Sequence, residues 1–269
     1  MPGLERFKKI NGNTLKLIAC ITMFIDHLAA GIIRPVINNG LYDGDIPFET
    51  ISRTYEIMKG IGRSAFPIFC FLLVEGFIHT KNRLRYALSL LIFGIISEPF
   101  FDITFYAAQE VVNPNIISAL HANSEILNDH CNVYFTLFIG LLTIWLIHAS
   151  YELVKKLSGP IEFAFALSAL ATSLGIFIAE KLHTDYHGYG VGLIVIFYFL
   201  SYNEPLNLIT GYCEMSVLRT EYLSFPGFLL MFLYNKKRGR SLGKLKYVFY
   251  AFYPAHIYLI YRIRCLLFG

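Results

Sequence analysis

Read from its first residue, the chain alternates apolar runs with short polar or basic turns. The apolar runs fall at about 14 to 34, 64 to 80, 84 to 97, 132 to 151, 160 to 180, 188 to 202, 205 to 217, 222 to 234 and 246 to 267. A helix needs about 20 such residues to cross the hydrocarbon core, and only helices or closed barrels satisfy the backbone there. Barrel strands would alternate in polarity over successive ten-residue segments, and nothing in the chain does so. The pattern therefore predicts an all-α, polytopic integral membrane bundle of about 9 to 10 transmembrane helices, forming a single domain over residues 1–269. Some runs are short, so one of them is allowed to be re-entrant.

The turns orient this bundle. ERFKK (5 to 9), KNRLR (81 to 85), KK (155 and 156) and NKKRGRSLGKLK (235 to 246) share one side if nine spans are threaded. Cytoplasmic loops retain Lys and Arg, so that side is expected in the cytoplasm, with the N-terminus inside and the C-terminus outside. For a bacterial-type chain this means the inner (cytoplasmic) membrane. The segments 36 to 56, 98 to 130 and 180 to 190 then face outward. Composition agrees, with 55% hydrophobic and 16% charged residues and a mean hydropathy of +0.52. A net charge of +4, broken into short clusters, does not form the continuous basic face that nucleic acid requires. The five cysteines are isolated and form no readable disulfide framework. The first apolar stretch is too long for a secretory signal and is interrupted by Asp26-His27, so it reads as an uncleaved first span. No internal repeat is evident, which weakens a transporter built from two related halves.

Several ionisable groups sit where lipid is expected. Asp26 and His27 lie side by side in ITMFIDHLAAGII; a charge at a helix centre costs about 2.5 to 3.5 kcal/mol on insertion scales, so such groups usually face a polar interior. Asp26 shares a face with Thr22, and His27 is free to face a cavity. The alternative is an Asp and a His that pair across helices as structural glue. In the second span Arg63 precedes Pro67, where a kink is expected, and Glu75 and His79 share a face before the basic KNRLR turn. That combination suits the phosphates of a nucleotide-like cofactor, although a basic turn is also what topology alone requires. Glu98 and Asp102, spaced i,i+4 in SEPFFD, are either a ligand-holding pair or interfacial caps. Asn132 and Thr136 read as structural bonds between helices. His183, Asp185 and His187 lack a further ligand at zinc spacing, so no metal site is expected. Gly188, Gly190 and Gly192 do not follow a dinucleotide fingerprint and suit close packing or a helix break. His256, behind Pro254 in the last run, reads as a satisfied core histidine.

LKLIACITMFIDHLAAGII, IGRSAFPIFCFLLVEGFIHTKNRLRYALSLLIFGIISEPFFD, NVYFTLFIGLL, DYHGYGVG and YPAHIYLIY, in this order, resemble the TraX family over nearly the whole chain. Its named member acetylates the N-terminus of a conjugative pilin, and the family resembles, more distantly, the transmembrane acyltransferases that include heparan glucosaminide N-acetyltransferase. The resemblance implies an acetyltransferase that takes its acyl group from acetyl-CoA on the cytoplasmic side. The expected acceptor is an amine or hydroxyl, with pilin first and an envelope glycan as the alternative. It implies His27 as general base or transient acyl acceptor, positioned by Asp26, and Arg63 as oxyanion or CoA contact. Glu75, His79, Lys81, Asn82 and Arg83 would line the CoA mouth, and Glu98, Asp102, Asp185 and Tyr186 would lie near the acceptor. The segments 38 to 58 and 107 to 131 match no motif. A transporter or assembly protein, using Asp26, His27 and Glu75 as a proton or substrate path, is the competing class.

Overall fold

Asparagine begins five of the helices. Asn11, Asn82, Asn115, Asn132 and Asn203 each accept a backbone N–H from the first turn that follows. A first turn leaves its amides without intrahelical partners, and a cap side chain supplies one. A computed structural model of the chain describes residues 7–40, 44–107, 112–125, 127, 129–240, 243 and 246–268. Glu5 and Arg6 of the first basic cluster lie outside the described residues, as do positions 241–242 and 244–245 of the last. So do 41–43, 108–111, 126 and 128 in the two segments that match no motif.

In chain order the helices are α1 (Gly12–Leu28), a π-helical turn (Ala29–Ile33), α2 (Arg34–Asn39), α3 (Phe48–Gly62), α4 (Ala65–His79), α5 (Arg83–Phe105) and α6 (Ile116–Ala122). They continue as α7 (Val133–Lys156), α8 (Ile161–Lys181), α9 (His187–Phe199), α10 (Glu204–Met215), a 3-10 turn (Glu221–Ser224), α11 (Phe225–Phe232) and α12 (Lys246–Phe268). Among the described residues the β pairing amounts to one isolated bridge between Ile10 and Tyr234. Among the described residues, five helical stretches are long and apolar enough to cross a membrane: Gly12–Asn39, Phe48–His79, Arg83–Phe105, Val133–Lys156 and Ile161–Lys181, with His187–Phe199 as a shorter apolar helix. Large side chains on α8, including Phe163, Leu170 and Phe177, are more than half exposed. A soluble bundle would bury such a face; here it is the face presented to lipid. This is an all-helical, multi-pass membrane protein.

All nine expected apolar runs are helical, but they do not all span. α10 and α11 have 12 and 8 residues, about 18 and 12 Å at 1.5 Å per residue. Both open ends meet at the basic end of the bundle. Glu204, at the start of α10, pairs with Lys8 at 2.6 Å and with Lys236 at 3.5 Å, and Asn235, just past α11, donates its N–H to the Ile10 carbonyl at 2.8 Å. The two runs expected at 205 to 217 and 222 to 234 therefore form one re-entrant hairpin, and its tip carries Glu221.

The second span also differs from expectation. Residues 48 to 56, expected in an outward segment, instead begin α3, which continues into α4 through a break at Arg63–Ser64. Pro67 causes no kink. It stands in the first turn of α4, where its missing N–H would have had no helical partner in any case. α3 keeps its sides largely uncovered and buries only Gly62, whose missing side chain lets the helix backbone lie directly against Asp26.

Candidate functional site

The two ionisable neighbours of α1 find separate partners. Asp26 does not bond Thr22, whose hydroxyl instead donates to the Ile18 and Ala19 carbonyls of its own helix. Asp26 accepts a 2.8 Å bond from Lys59 of α3, and the side chains retain 18% and 19% exposure, so this pair is neither sealed nor freely solvated. His27 meets His256 of α12, with Nδ1 and Nε2 2.7 Å apart. Phe105 and Tyr253 flank the His27 ring at centroid separations of 5.0 and 5.6 Å. The π-helical turn Ala29–Ile33 starts two residues after His27. Such single-turn widenings concentrate at functional positions, and this one re-aims the helix just beyond the pair.

A second ion pair lies nearby. Arg63, at the α3–α4 break, donates from Nη1 to Glu221 Oε1 at 2.7 Å. Glu221 is 3% exposed, so the hairpin tip delivers a carboxylate into the bundle interior with Arg63 as its counter-ion. Two buried atoms of this pair remain unspent: Arg63 Nε and Glu221 Oε2 have no hydrogen-bond partner. Tyr186 lies close enough to Arg63 to act on it electrostatically. It stacks on Phe66 at 3.7 Å with the planes 3° apart, in a backbone conformation with φ 65°. His183 and His187 on either side have φ 44° and 47°. Left-handed conformations cost a non-glycine residue about 1 to 3 kcal/mol and gather at functional sites. Asp185 joins the cluster electrostatically through Asp26, Lys59 and Arg63. With two cations facing Asp26, Glu221 and Asp185, one acid is in surplus. In the turn between α8 and α9, burial and then the Asp26 carboxylate push the Asp185 carboxyl up to about 6.

The turn holding Tyr186 is fixed from α7. The Thr136 hydroxyl donates to the Asp185 carbonyl, and Cys131 and residues 183 and 185 exchange backbone bonds of 3.3 and 2.9 Å. Gly190 makes the close approach possible: a Cβ there would lie 2.5 Å from Thr136 Cγ2 and 2.8 Å from Phe66 Cζ. Gly190→Ala is therefore expected to cost about 1 to 3 kcal/mol through overpacking, read as a lower melting temperature in detergent. An unchanged melting temperature would mean that the Tyr186–Phe66 stack yields freely.

Glu98 and Asp102 are buried at 5% and 1% exposure in α5. Glu98 Oε2 accepts the Asn132 backbone N–H at 3.0 Å and also the Asn132 side-chain amide, whose nitrogen reaches the Gly94 carbonyl at 2.9 Å. Glu98 thus latches α5 to the N-terminus of α7 through one of its two oxygens.

At the basic end, a cavity of about 670 Å³ opens between α1, α4, α5 and α12. Glu75, His79, Lys81 and Asn82 line it, together with Lys16, Arg85, Lys236 and Arg238 and the rings of Tyr86, Tyr234, Tyr247, Phe249 and Tyr250. Asn82 also caps α5 through the Arg85 N–H at 2.8 Å. Arg83 does not line the cavity; it lies 3.1 Å from His148 Nε2 and covers the Phe77 ring at 4.4 Å. Two positions on a helix are about 200° apart, so the two arginines point to opposite sides and Arg85 takes the place expected for Arg83. The cavity does not reach His27. On α1 its lining ends at Lys16, 11 residues earlier, or about 16 Å along the helix. Tyr250, Tyr134 and Tyr253 bridge the gap. The Tyr134 hydroxyl donates to the Tyr250 carbonyl at 2.9 Å, an acceptor that Pro254 leaves without its i+4 amide. Tyr134 in turn meets Tyr253 edge-on at 5.0 Å.

The family described as TraX protein matches residues 11–264. The chain belongs to the TraX family. It is also 31% identical over 256 residues to the probable fimbrial assembly protein FimC, serogroup H1, of Dichelobacter nodosus, covering 91% of this chain and 92% of that protein. No solved structure matches it. Within this TraX chain, Asp26, Arg63, Asp185 and Tyr186 converge, and Glu75, His79, Lys81 and Asn82 share the cavity. Three further members of the site escaped the sequence reading. Lys59 falls between the outward segment that ends at 56 and the apolar run that begins at 64, although Ile51, Tyr55, Met58 and Gly62 repeat at helical spacing. Glu221 stood at the edge of an apolar run, where an acid looks interfacial. His256 was visible and was assigned to the core.

Proposed function

We propose that this TraX chain is a membrane acetyltransferase that moves an acetyl group from acetyl-CoA to an amine, with the N-terminus of a pilin as the acceptor. The observation that carries the reading is a basic, ring-lined cavity at one end of a bundle whose interior holds an imidazole and an unspent arginine donor. Lys16, Lys81, Arg85, Lys236 and Arg238 offer cations to phosphates, and the tyrosines offer faces to a purine. The printed name of the Dichelobacter relative, a fimbrial assembly protein, favours a pilin over an envelope glycan. We place the basic end, and the N-terminus with it, in the cytoplasm and the protein in the inner membrane. Adding α9 and α12 to the five longer stretches makes seven crossings, with α10 and α11 as a hairpin, and brings the C-terminus out on the opposite side.

In this reading the pantetheine arm passes the tyrosine bridge, which requires the Tyr134–Tyr250 bond to open. The acceptor nitrogen attacks the thioester carbonyl, forming C–N as C–S breaks. His27 takes the proton that the nitrogen loses and returns it to the departing sulfur. Arg63 Nε and the Tyr186 hydroxyl face the negative charge that develops on the carbonyl oxygen. Asp185, the surplus acid, holds the incoming ammonium and takes the proton that frees its lone pair, passing it to water; the second proton is the one that His27 carries to the sulfur.

Membranes carrying the protein are expected to transfer label from acetyl-CoA to a peptide bearing the pilin N-terminus. Lys81→Ala with Arg85→Ala is expected to raise KM for acetyl-CoA about 10-fold or more, because two charge-assisted phosphate contacts are lost. Label passing to envelope glycan instead would replace the acceptor. No transfer to either, with uptake or export of a solute intact, would replace the reaction class.

A further inference from the structure

We propose that His256 is a positioning residue: it fixes the tautomer of His27 so that His27 presents its Nε2 lone pair. His256 Nδ1 lies 2.7 Å from the Phe252 carbonyl oxygen. A carbonyl only accepts, so this nitrogen carries a proton and donates. In a neutral ring the other nitrogen, Nε2, is then an acceptor. Across it, 2.7 Å away, stands His27 Nδ1, which must donate. The remaining His27 nitrogen, Nε2, is left unprotonated.

Ring geometry supports the chain of bonds. The two imidazole planes are 9° apart and their centroids 4.9 Å apart. Near-parallel rings piled face to face could not bring two nitrogens to 2.7 Å, so these rings meet edge to edge in a common plane, where sp² lone pairs and N–H bonds point. The opposite proton order would require a charged ring at His256. His256 is 4% exposed, and its nitrogens are committed to Phe252 and His27, among the rings of Phe24, Phe252 and Tyr253. Among the described residues no carboxylate bonds it, and a buried charge without one is strongly disfavoured. The relay therefore runs from the α12 backbone through His256 to His27. Pro254 stands within the same helix, two residues from His256.

The catalytic use of that lone pair rests on the acetyltransferase reading; the tautomer does not. Nitrogen-15 NMR of histidine-labelled protein in detergent tests the tautomer, with the His27 signals identified by their loss in His27→Asn. The expected result is a protonated Nδ1 and an unprotonated Nε2 at His27 near neutral pH. The same pattern is expected in His256→Gln, whose amide oxygen can accept in place of the imidazole. His256→Leu is expected to move the proton to Nε2 and to lower acetyl transfer about 100-fold or more, while His256→Gln stays within about tenfold of the parent. A wild-type His27 carrying its proton on Nε2 overturns the proposal, whether or not His256→Leu folds. Activity lost in His256→Leu with the His27 tautomer unchanged also overturns it and leaves His256 a packing role. The predicted tautomer in a protein that transfers no acetyl group leaves the relay standing and removes the acetyltransferase reading.

Discussion

His27→Ala is expected to lower acetyl transfer by about 10²- to 10⁴-fold, the range that a positioned general base contributes, while the protein still inserts and melts close to the parent. The stability side follows from what His27 touches. It makes one hydrogen bond, to His256, and edge contacts with Phe105 and Tyr253. A single hydrogen bond is worth about 0.5 to 1.5 kcal/mol net. The substitution thus separates chemistry from folding better than any other in the site. Acetyl transfer by labelled acetyl-CoA in membranes, beside a melting curve of the purified variant, reads both. Full activity in His27→Ala would sink the role given to it.

The largest loss of stability is expected at Arg63→Met. Glu221 is 3% exposed and has Arg63 as its bonded cation at 2.7 Å. Removing one member of a buried pair leaves the other charge uncompensated, at about 3 to 5 kcal/mol. Replacing both with apolar residues of similar bulk is often neutral, so Arg63→Met with Glu221→Met is expected to recover most of the loss. Thermal melting of the two singles and the double, in one detergent, gives the coupling directly. The double variant is nevertheless expected to be inactive, since it lacks the Arg63 donor. A double variant as unstable as Arg63→Met alone would show that the ion pair is not what Arg63 supplies.

The apolar runs made the helices legible because lipid allows so few alternatives. What the runs did not show is which helices cross. A re-entrant hairpin and two spans look alike as 13-residue apolar strings; the difference lies in Glu204 meeting Lys8 and Lys236, a contact between distant parts of the chain. Asp26 and His27 were conspicuous because charges there are costly, whereas their partners were not. Lys59 sat on an amphipathic helix that reads as a polar loop when judged by mean hydropathy. Glu98 shows the converse: spacing relative to Asp102 did not show that one of its oxygens binds Asn132. Arg83 and Arg85 differ by two positions, and helical direction, not composition, decides which one faces the cavity.

The hairpin tip has a consequence for how the protein is made. Arg63 and Glu221 are separated by 158 positions, and His27 and His256 by 229. At about 5 to 20 residues per second, Arg63 has been synthesised roughly 8 to 30 s before its counter-ion exists. During that interval the guanidinium must rest against water, headgroups or a helper protein. The interior of the bundle closes only when the hairpin is threaded back, so a ribosome stalled before residue 221 leaves a nascent chain whose most polar helix break is open to quality control.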